Sequence, residues 1–239
     1  MRKIKASSSY PKKQARKNLI KAALWLLVFF VAAAVWGWHV ITTLQFGLLE
    51  QISLIVLFAP IGVFYFYLHE YRVFSGGVEG EKRVAQLLSR ALSDDYYLIN
   101  DLYLQGSQGG DIDHVVLAPN GIFVLETKNW SGKITVVEDL WHRAGKRNLH
   151  GSPSRQVKNN ATKIKRLIDM SSKLRGLELG VAGIVVLTNR HASVQLNSPT
   201  IPILRLHQLP DYIKSHGSQK RYSRDVLERI GEEIVKQKV

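Results

Sequence analysis

No formally charged residue occurs between positions 22 and 49, and after Glu50 a second uncharged run covers 51–68. A hydrocarbon layer about 30 Å thick is crossed by roughly 20 helical residues, so each run is long enough to span one. The pattern predicts two membrane helices, near 22–42 and 52–71, joined by a short connection at Gln45, Phe46 and Gly47. Gly37 and Pro60 are poor choices for a soluble helix but are tolerated in a spanning one. Trp25, Trp36, Trp38, Tyr65, Tyr67 and Tyr71 lie near the proposed ends, as interfacial aromatic residues do. The first run continues past Ala32-Ala33-Ala34 into Val35 and Trp36, which favours a retained span over a cleaved signal peptide.

Orientation follows from charge. Arg2, Lys3, Lys5, Lys12, Lys13, Arg16, Lys17 and Lys21 precede the first run with no acidic residue among them. The positive-inside rule places this segment in the cytoplasm and the connection carrying Glu50 outside, and an even number of crossings returns everything after Tyr71 to the cytoplasm. The expectation is a multi-pass protein of the inner (cytoplasmic) membrane. Its divisions are a basic segment at 1–21, two spans within 22–71, a linker at 72–76, a domain core at 77–190 and an extension at 191–239.

Ser75-Gly76-Gly77 supplies the expected break before the domain. From Glu79, Val84, Leu87, Leu88 and Ala91 recur at helical spacing until Ser93-Asp94-Asp95. Glu81 falls on the apolar stripe of this helix, whereas Glu79 would serve the helix dipole equally well while facing solvent, so Glu81 is a candidate site residue. Residues 96–104 and 133–138 read as strands. Ser152-Pro153 gives an N-cap and first-turn proline for a helix to about Lys173, with Val157, Ala161, Ile164 and Ile168 as its buried stripe. A strongly apolar strand follows at 181–188, another at 203–206 and a closing amphipathic helix at 224–236. This order predicts a mixed α/β sandwich behind a two-helix transmembrane hairpin.

The centre of that sandwich carries unusual charge. Val115 to Ala118 and Ile122 to Leu125 are apolar runs joined by Pro119-Asn120-Gly121, which reads as a β-hairpin. If Asn120 and Gly121 form a two-residue turn, Pro119 stands opposite Ile122, Asp113 opposite Lys128 and Val115 opposite Glu126. Any register whose paired numbers sum to an odd value keeps Asp113, Glu126 and Lys128 on one face, because strand side chains alternate. Two carboxylates and an ammonium at the edge of a buried hairpin suit a hard divalent cation with a proton-handling or phosphate-neutralising group beside it. His114 alternates to the other face and reads as a packed residue, and Gly106 to Gly110 let backbone approach the site closely.

The chain has 33 Lys and Arg against 19 Asp and Glu and no cysteine, which excludes disulfides, thiolate-bound zinc and a thiol nucleophile. No glycine-rich nucleotide loop or Ser-His-Asp set is present. Between Trp141 and Arg175, ten basic residues face Asp169 alone. Within that stretch Arg155, Lys158, Lys163 and Lys165 are candidates for binding a polyanion, either nucleic acid or the anionic lipid of the cytoplasmic leaflet.

The motifs Gly77-x-x-Gly80-Glu81, Ile112-Asp113-His114-Val115-Val116, Gly121-Ile122-Phe123, Glu126-Thr127-Lys128-Asn129, Gly132 and Gln156 occur in this order, and with them residues 77–188 resemble the nuclease-related domain (NERD) family of the PD-(D/E)xK nuclease superfamily. The resemblance implies a restriction-endonuclease-like sandwich and Mg²⁺- or Mn²⁺-dependent phosphodiester hydrolysis in DNA. It implies metal ligation by Asp113 and Glu126, and a role for Lys128 in orienting or deprotonating water and countering phosphate charge. Glu81 would assist the metal or water, and Gln156 would contact substrate or the lysine. Asp111 stands where such sequences often carry Gln. The rival expectation is a catalytically silent membrane tether that binds nucleic acid, anionic lipid or a protein partner.

Overall fold

The computed structural model describes residues 1–4, 10–43, 47–104, 111–145, 151–174, 176–218 and 220–236. The chain divides into two compact units, one made of residues 9–78 and the other of residues 79–239 together with the N-terminal strand.

The first unit is helical. Helix α1 covers Tyr10–Thr43, α2 covers Leu48–Leu57 and α3 begins at Ala59 and continues to Ala91. The stretches Lys12–Thr43 and Leu48–Ala91 are long and apolar enough to cross a membrane. Large apolar side chains on them, among them Trp38, Ile41, Leu49 and Ile55, are exposed rather than packed into a core. The second expected span is interrupted at Phe58, where the amide bonds back to Ile55 O at 3.2 Å. Pro60 follows two residues later, and having no N–H it cannot continue the ladder that α2 begins. The expected linker at 72–76 is helical instead, since α3 runs through Ser75-Gly76-Gly77. A glycine costs a helix interior only about 1 kcal/mol, and the packed stripe downstream at Val84 and Leu88 outweighs it.

The second unit is mixed α/β. Its strands are β1 (Arg2–Ile4), β2 (Tyr97–Leu102), β3 (Ile112–Ala118), β4 (Gly121–Lys128), β5 (Gly132–Val137), β6 (Leu140–Arg143), β7 (Val181–Leu187), β8 (Ala192–Asn197) and β9 (Ile203–Arg205). The main sheet is ordered β1-β2-β3-β4-β7-β9, with β2-β3-β4 antiparallel and the other pairs parallel; β6-β5-β8 form a smaller sheet. The helices are α4 (Pro153–Met170), α5 (Leu209–Ser215) and α6 (Arg224–Lys236).

Strand alternation sorts the interior into two cores. Val115, Leu117, Ile122, Val124 and Val185 pack on one face with α4 and α6, through Val157, Ile164, Leu227 and Ile230. Val116, Phe123, Leu125, Ile184 and Val186 pack on the other with Val84 and Leu88 of α3 and Leu209 and Ile213 of α5. Because both faces are covered, β3 and β4 read as continuous apolar runs rather than alternating ones.

Two features were not expected from sequence. Arg2–Ile4, assigned to a basic tail, adds a parallel edge strand to β2, with Ile4 opposite Ile99. Gly231 of α6 leaves it room, since a Cβ there would collide with Ile4 Cδ1. The hairpin also turns one residue earlier than expected: Ala118 pairs with Gly121, so Pro119 and Asn120 form the turn. Continuing His114↔Leu125 by one step sets Asp113 opposite Glu126 rather than Lys128. The paired numbers still sum to an odd value, so the shared face survives the shift of register.

Candidate functional site

Asp113 leaves β3, and Glu126 and Lys128 leave β4, on the face that carries α4. The Thr127 amide donates to Asp113 Oδ2 at 2.6 Å, and Lys128 Nζ donates to Glu126 Oε1 at 2.6 Å. Glu126 is 2 % exposed, and its second oxygen has no hydrogen-bond partner. Burial pushes the Asp113 carboxyl well above the usual range, and the carboxylates of Glu126 and Glu81 push it further; the Thr127 amide and Lys128 only partly oppose this. Burial also raises Glu126, against the ammonium beside it. For Lys128, burial favours the neutral amine, but Glu126, Asp113 and Glu81 together outweigh it and raise its pKa. A protonated lysine is thus held among carboxylates that lack enough positive charge.

The lysine is also steered by aromatic rings. Its Nζ lies 5.8 Å from the ring centre of Trp130, and Trp130 meets Trp141 edge to face at 5.9 Å. Trp141 Nε1 donates to Ser154 Oγ of α4 at 2.8 Å, which ties β6 of the smaller sheet to the helix beside the site. A cation–π contact of this kind contributes about 0.5 to 2 kcal/mol.

Glu81 arrives from the opposite face by a close approach of backbone. A Cβ on Gly80 would lie 2.9 Å from Thr188 Oγ1, 3.0 Å from Asn129 Cβ and 3.3 Å from Thr127 Cγ2. Glycine therefore lets α3 rest against the ends of β4 and β7, and the charge of the next residue reaches both Asp113 and Lys128. His114 points to the α3 face of the sheet, where the Glu81 backbone bonds to it. It is buried, its Nδ1 bonds to Asn100 Oδ1 at 2.8 Å, and burial lowers its pKa to about 3.

Gln156 is carried by α4. It lines a cavity of about 580 Å³ along α4 with Ser152, Arg155, Asn159, Asn160 and Lys163, and its side chain makes no hydrogen bond to Asp113, Glu126 or Lys128. Arg155 and Lys163 open onto this cavity. Lys158 instead holds Asp139 at 2.8 Å, and Lys165 holds Asp169 at 2.6 Å. The four basic candidates thus separate into two that face a concavity and two engaged in ion pairs.

Among the described residues no group of three or more His, Asp or Glu side chains could hold a metal by itself. The residues nonetheless suit a hard cation of the magnesium type, which takes one or two carboxylates and keeps several waters. The buried, unpartnered Glu126 oxygen is a free donor of the right kind beside a desolvated Asp113. Residues missed in the sequence are Thr127, whose amide orients Asp113; Trp130, two positions beyond the lysine; and Thr188, which receives α3. The polar residues that end the apolar β4 and β7 runs were the available signal.

An acidic residue on one strand and Glu-x-Lys on its neighbour, with helices on both faces of a mixed sheet, is the arrangement of a PD-(D/E)xK-type domain. Residues 76–188 match the nuclease-related domain (NERD) family, a branch of that superfamily, and this part of the chain belongs to it. An uncharacterised protein of Bacillus anthracis is 40% identical over 60 residues, covering 24% of this chain and 28% of that one. The probable kinase PglW of Streptomyces coelicolor is 27% identical over 115 residues, covering 46% of this chain and 7% of that one. The matches thus span under a third of each relative. No solved structure matches the chain.

Proposed function

We propose that the protein is a membrane-anchored, divalent-metal-dependent nuclease that hydrolyses phosphodiester bonds in DNA. The observation that carries this reading is the convergence of Asp113, Glu126 and Lys128 on one face, with a buried Glu126 oxygen left unpartnered. Asp113 and Glu126 would hold Mg²⁺ or Mn²⁺. When bound, the cation lowers the pKa of a coordinated water and offsets charge on the phosphate. The Thr127 amide fixes the direction of Asp113. Lys128, whose pKa the neighbouring carboxylates raise, would set a positive charge against the phosphate and orient the attacking water. Glu81 adds negative charge at the same edge, and Gln156 contacts the strand from α4 together with Arg155 and Lys163.

The membrane part of the proposal rests on the two apolar helical stretches and the basic N-terminal segment. The β1–β2 pairing supports it, because a strand from the extreme N-terminus and the sheet it joins must lie on one side of any bilayer. With the positive-inside rule, that side is the cytoplasm and the membrane is the inner one. The divisions proposed are two spans up to about residue 71 and a nuclease-related core to about 190 with a C-terminal extension.

The test is cleavage of supercoiled, linear and single-stranded DNA, and of RNA, by the full chain in detergent with Mg²⁺ or Mn²⁺. Losing an interaction that supplies several kcal/mol lowers a rate by at least about a hundredfold, so Asp113→Ala and Glu126→Ala should each do so. Wild-type cutting by both variants would refute the assignment. Binding of DNA with no cleavage in either metal would favour a silent tether.

A further inference from the structure

On the α3 side of the same sheet edge, a second cavity of about 490 Å³ is lined by Arg83, Asn129, Asn189, Arg190 and His191. Two guanidinium groups, an imidazole and two carboxamides face it, and no carboxylate does. Its position is set by the strand ends. Asn129 directly follows Lys128, and the Thr188 amide donates to Lys128 O at 3.1 Å, which brings Asn189 alongside. The cavity thus opens at the carboxyl ends of the parallel strands β4 and β7, where α/β sheets commonly receive ligands.

The lining groups are oriented in advance. Asn189 Oδ1 accepts from the His191 amide at 2.9 Å, Arg190 Nε donates to His191 Nε2 at 3.1 Å, and Arg83 Nε donates to Glu79 Oε1 at 3.2 Å. Each arginine spends one N–H on these contacts and has four more in its planar fork, the geometry that grips phosphate in a bidentate manner. Arg205 and His207 line an adjoining cavity of about 430 Å³ that shares Asn189 and Arg190, so the positive surface continues away from the site.

We propose that the Arg83, Asn129, Asn189, Arg190 and His191 cavity is a phosphate subsite, which holds a phosphate of the nucleic-acid strand beyond the bond at Lys128. In this last respect it rests on the nuclease reading. The two basic surfaces then have different work: the α4 cavity approaches the strand from one face of the sheet, and this cavity from the other.

The experiment uses the full chain in detergent micelles and the double variant Arg83→Gln with Arg190→Gln. Exposed charge substitutions of this kind change stability by about 0.5 kcal/mol or less, and amide hydrogen exchange across β4 checks that the fold is kept. Inorganic phosphate is titrated by ³¹P line broadening, and a DNA duplex by anisotropy across salt concentrations with Ca²⁺ replacing Mg²⁺. The expected result is phosphate affinity weakened at least tenfold and a log–log salt slope on duplex flatter by about 0.9, the loss of one phosphate contact. Oligonucleotides with and without a 5′-phosphate identify the source. Tighter wild-type binding of the phosphorylated strand, absent in the variant, assigns the cavity to strand ends; equal effects on both assign it to internal phosphates. Unchanged phosphate affinity and unchanged slope would overturn the proposal even if Asp113→Ala and Glu126→Ala abolish cleavage. Lost phosphate binding alongside cleavage indifferent to Asp113 and Glu126 would uphold the subsite and remove the nuclease reading instead.

Discussion

Gly80 and Gly77 lie three residues apart in α3 and should respond differently to the same substitution. In Gly80→Ala the new methyl would meet Thr188 Oγ1 at 2.9 Å, Asn129 Cβ at 3.0 Å and Thr127 Cγ2 at 3.3 Å. Carbon atoms pack at about 3.5 to 4.0 Å, so α3 must withdraw from the strand ends by roughly half an ångström. Overpacking of this kind costs about 1 to 3 kcal/mol, and the better helix propensity of alanine offsets about 1 kcal/mol of it. The net loss of stability is therefore small, at about 0 to 2 kcal/mol. The functional loss is larger, because Glu81 moves with the helix and Thr127 carries the amide that holds Asp113. A displacement of about 1 Å can lower a rate a hundredfold, so half of that is expected to cost on the order of tenfold in cleavage. A Cβ at Gly77 meets nothing within 4 Å, and Gly77→Ala should leave both rate and fold intact. Hydrogen exchange at the Thr127 amide reports the same displacement without relying on activity, and should quicken only in Gly80→Ala. Equal cleavage and equal Thr127 protection in the two variants would refute this account of why glycine is needed at position 80.

The ion pairs on α4 make a second contrast: Arg155→Gln with Lys163→Gln should flatten the salt slope of duplex binding by somewhat under two units at about 0.9 per contact, and Lys158→Gln with Lys165→Gln by clearly less, because Asp139 and Asp169 already engage those lysines. Equal flattening would show that the ion pairs do not withhold charge. His114 makes the domain acid-sensitive. Its folded pKa of about 3 lies below the ordinary 6.5, so the unfolded chain binds the extra proton as pH falls through 6.5, and the stability that is full above 6.5 is lost progressively toward 3. Between pH 7.5 and 5 this amounts to about 2 kcal/mol, read by hydrogen exchange of β3; His114→Gln should remove that component, and an unchanged pH slope would count against it. For the membrane arrangement, single cysteines at Gly47 and Ser218 should be labelled from outside intact cells only at Gly47, and labelling at Ser218 would reverse the proposed sidedness.

What sequence revealed about the site was parity, and what it hid was register. The apolar runs of β3 and β4 and the two-residue period suffice to put Asp113, Glu126 and Lys128 on one face. The choice between turns at Asn120-Gly121 and Pro119-Asn120 depends on distant chain. Asn120 Nδ2 donates to Ile213 O at 2.7 Å and also to His216 O, the Ser218 amide donates to Asn120 O at 2.8 Å, and the Tyr222 amide donates to Pro119 O at 2.8 Å. Those partners lie about ninety or more residues away, and no local turn preference encodes them. Gly121 is then free to open β4 with φ at 147°, a conformation that a side chain would rarely accept. The edge strand Arg2–Ile4 was illegible for a related reason. Three residues in a basic tail carry no periodicity, and only the exposed edge of β2 makes them a strand. By contrast, the α4 N-terminus is locally encoded: Ser152 Oγ accepts from the Arg155 amide at 3.3 Å and Pro153 sits in the first turn.

The distribution of unsatisfied polar groups ties these observations together. Among the described residues, buried side-chain atoms without partners are His114 Nε2, Asn120 Oδ1, Glu126 Oε2, Thr127 Oγ1 and Asn160 Nδ2. His114 follows Asp113, Glu126 and Thr127 lie within two residues of Lys128, and Asn160 lines the α4 cavity. Each such atom costs about 1 to 3 kcal/mol relative to a paired one. Those of His114, Glu126 and Thr127 gather where β3 begins and β4 ends, whereas Asn120 lies in the turn at the other end of the hairpin. A fold selected for stability alone would place apolar residues at 113 and 126, continuing the runs that precede them. Retaining two desolvated carboxyl groups beside a single ammonium instead crowds acidic groups into a poorly solvated edge, where burial disfavours their charged forms unless a proton or a cation offsets them. On the proposed function, stability lost at this edge would be the physical counterpart of affinity for a divalent ion, with α3 and α4 packed on the two faces of the sheet beside it.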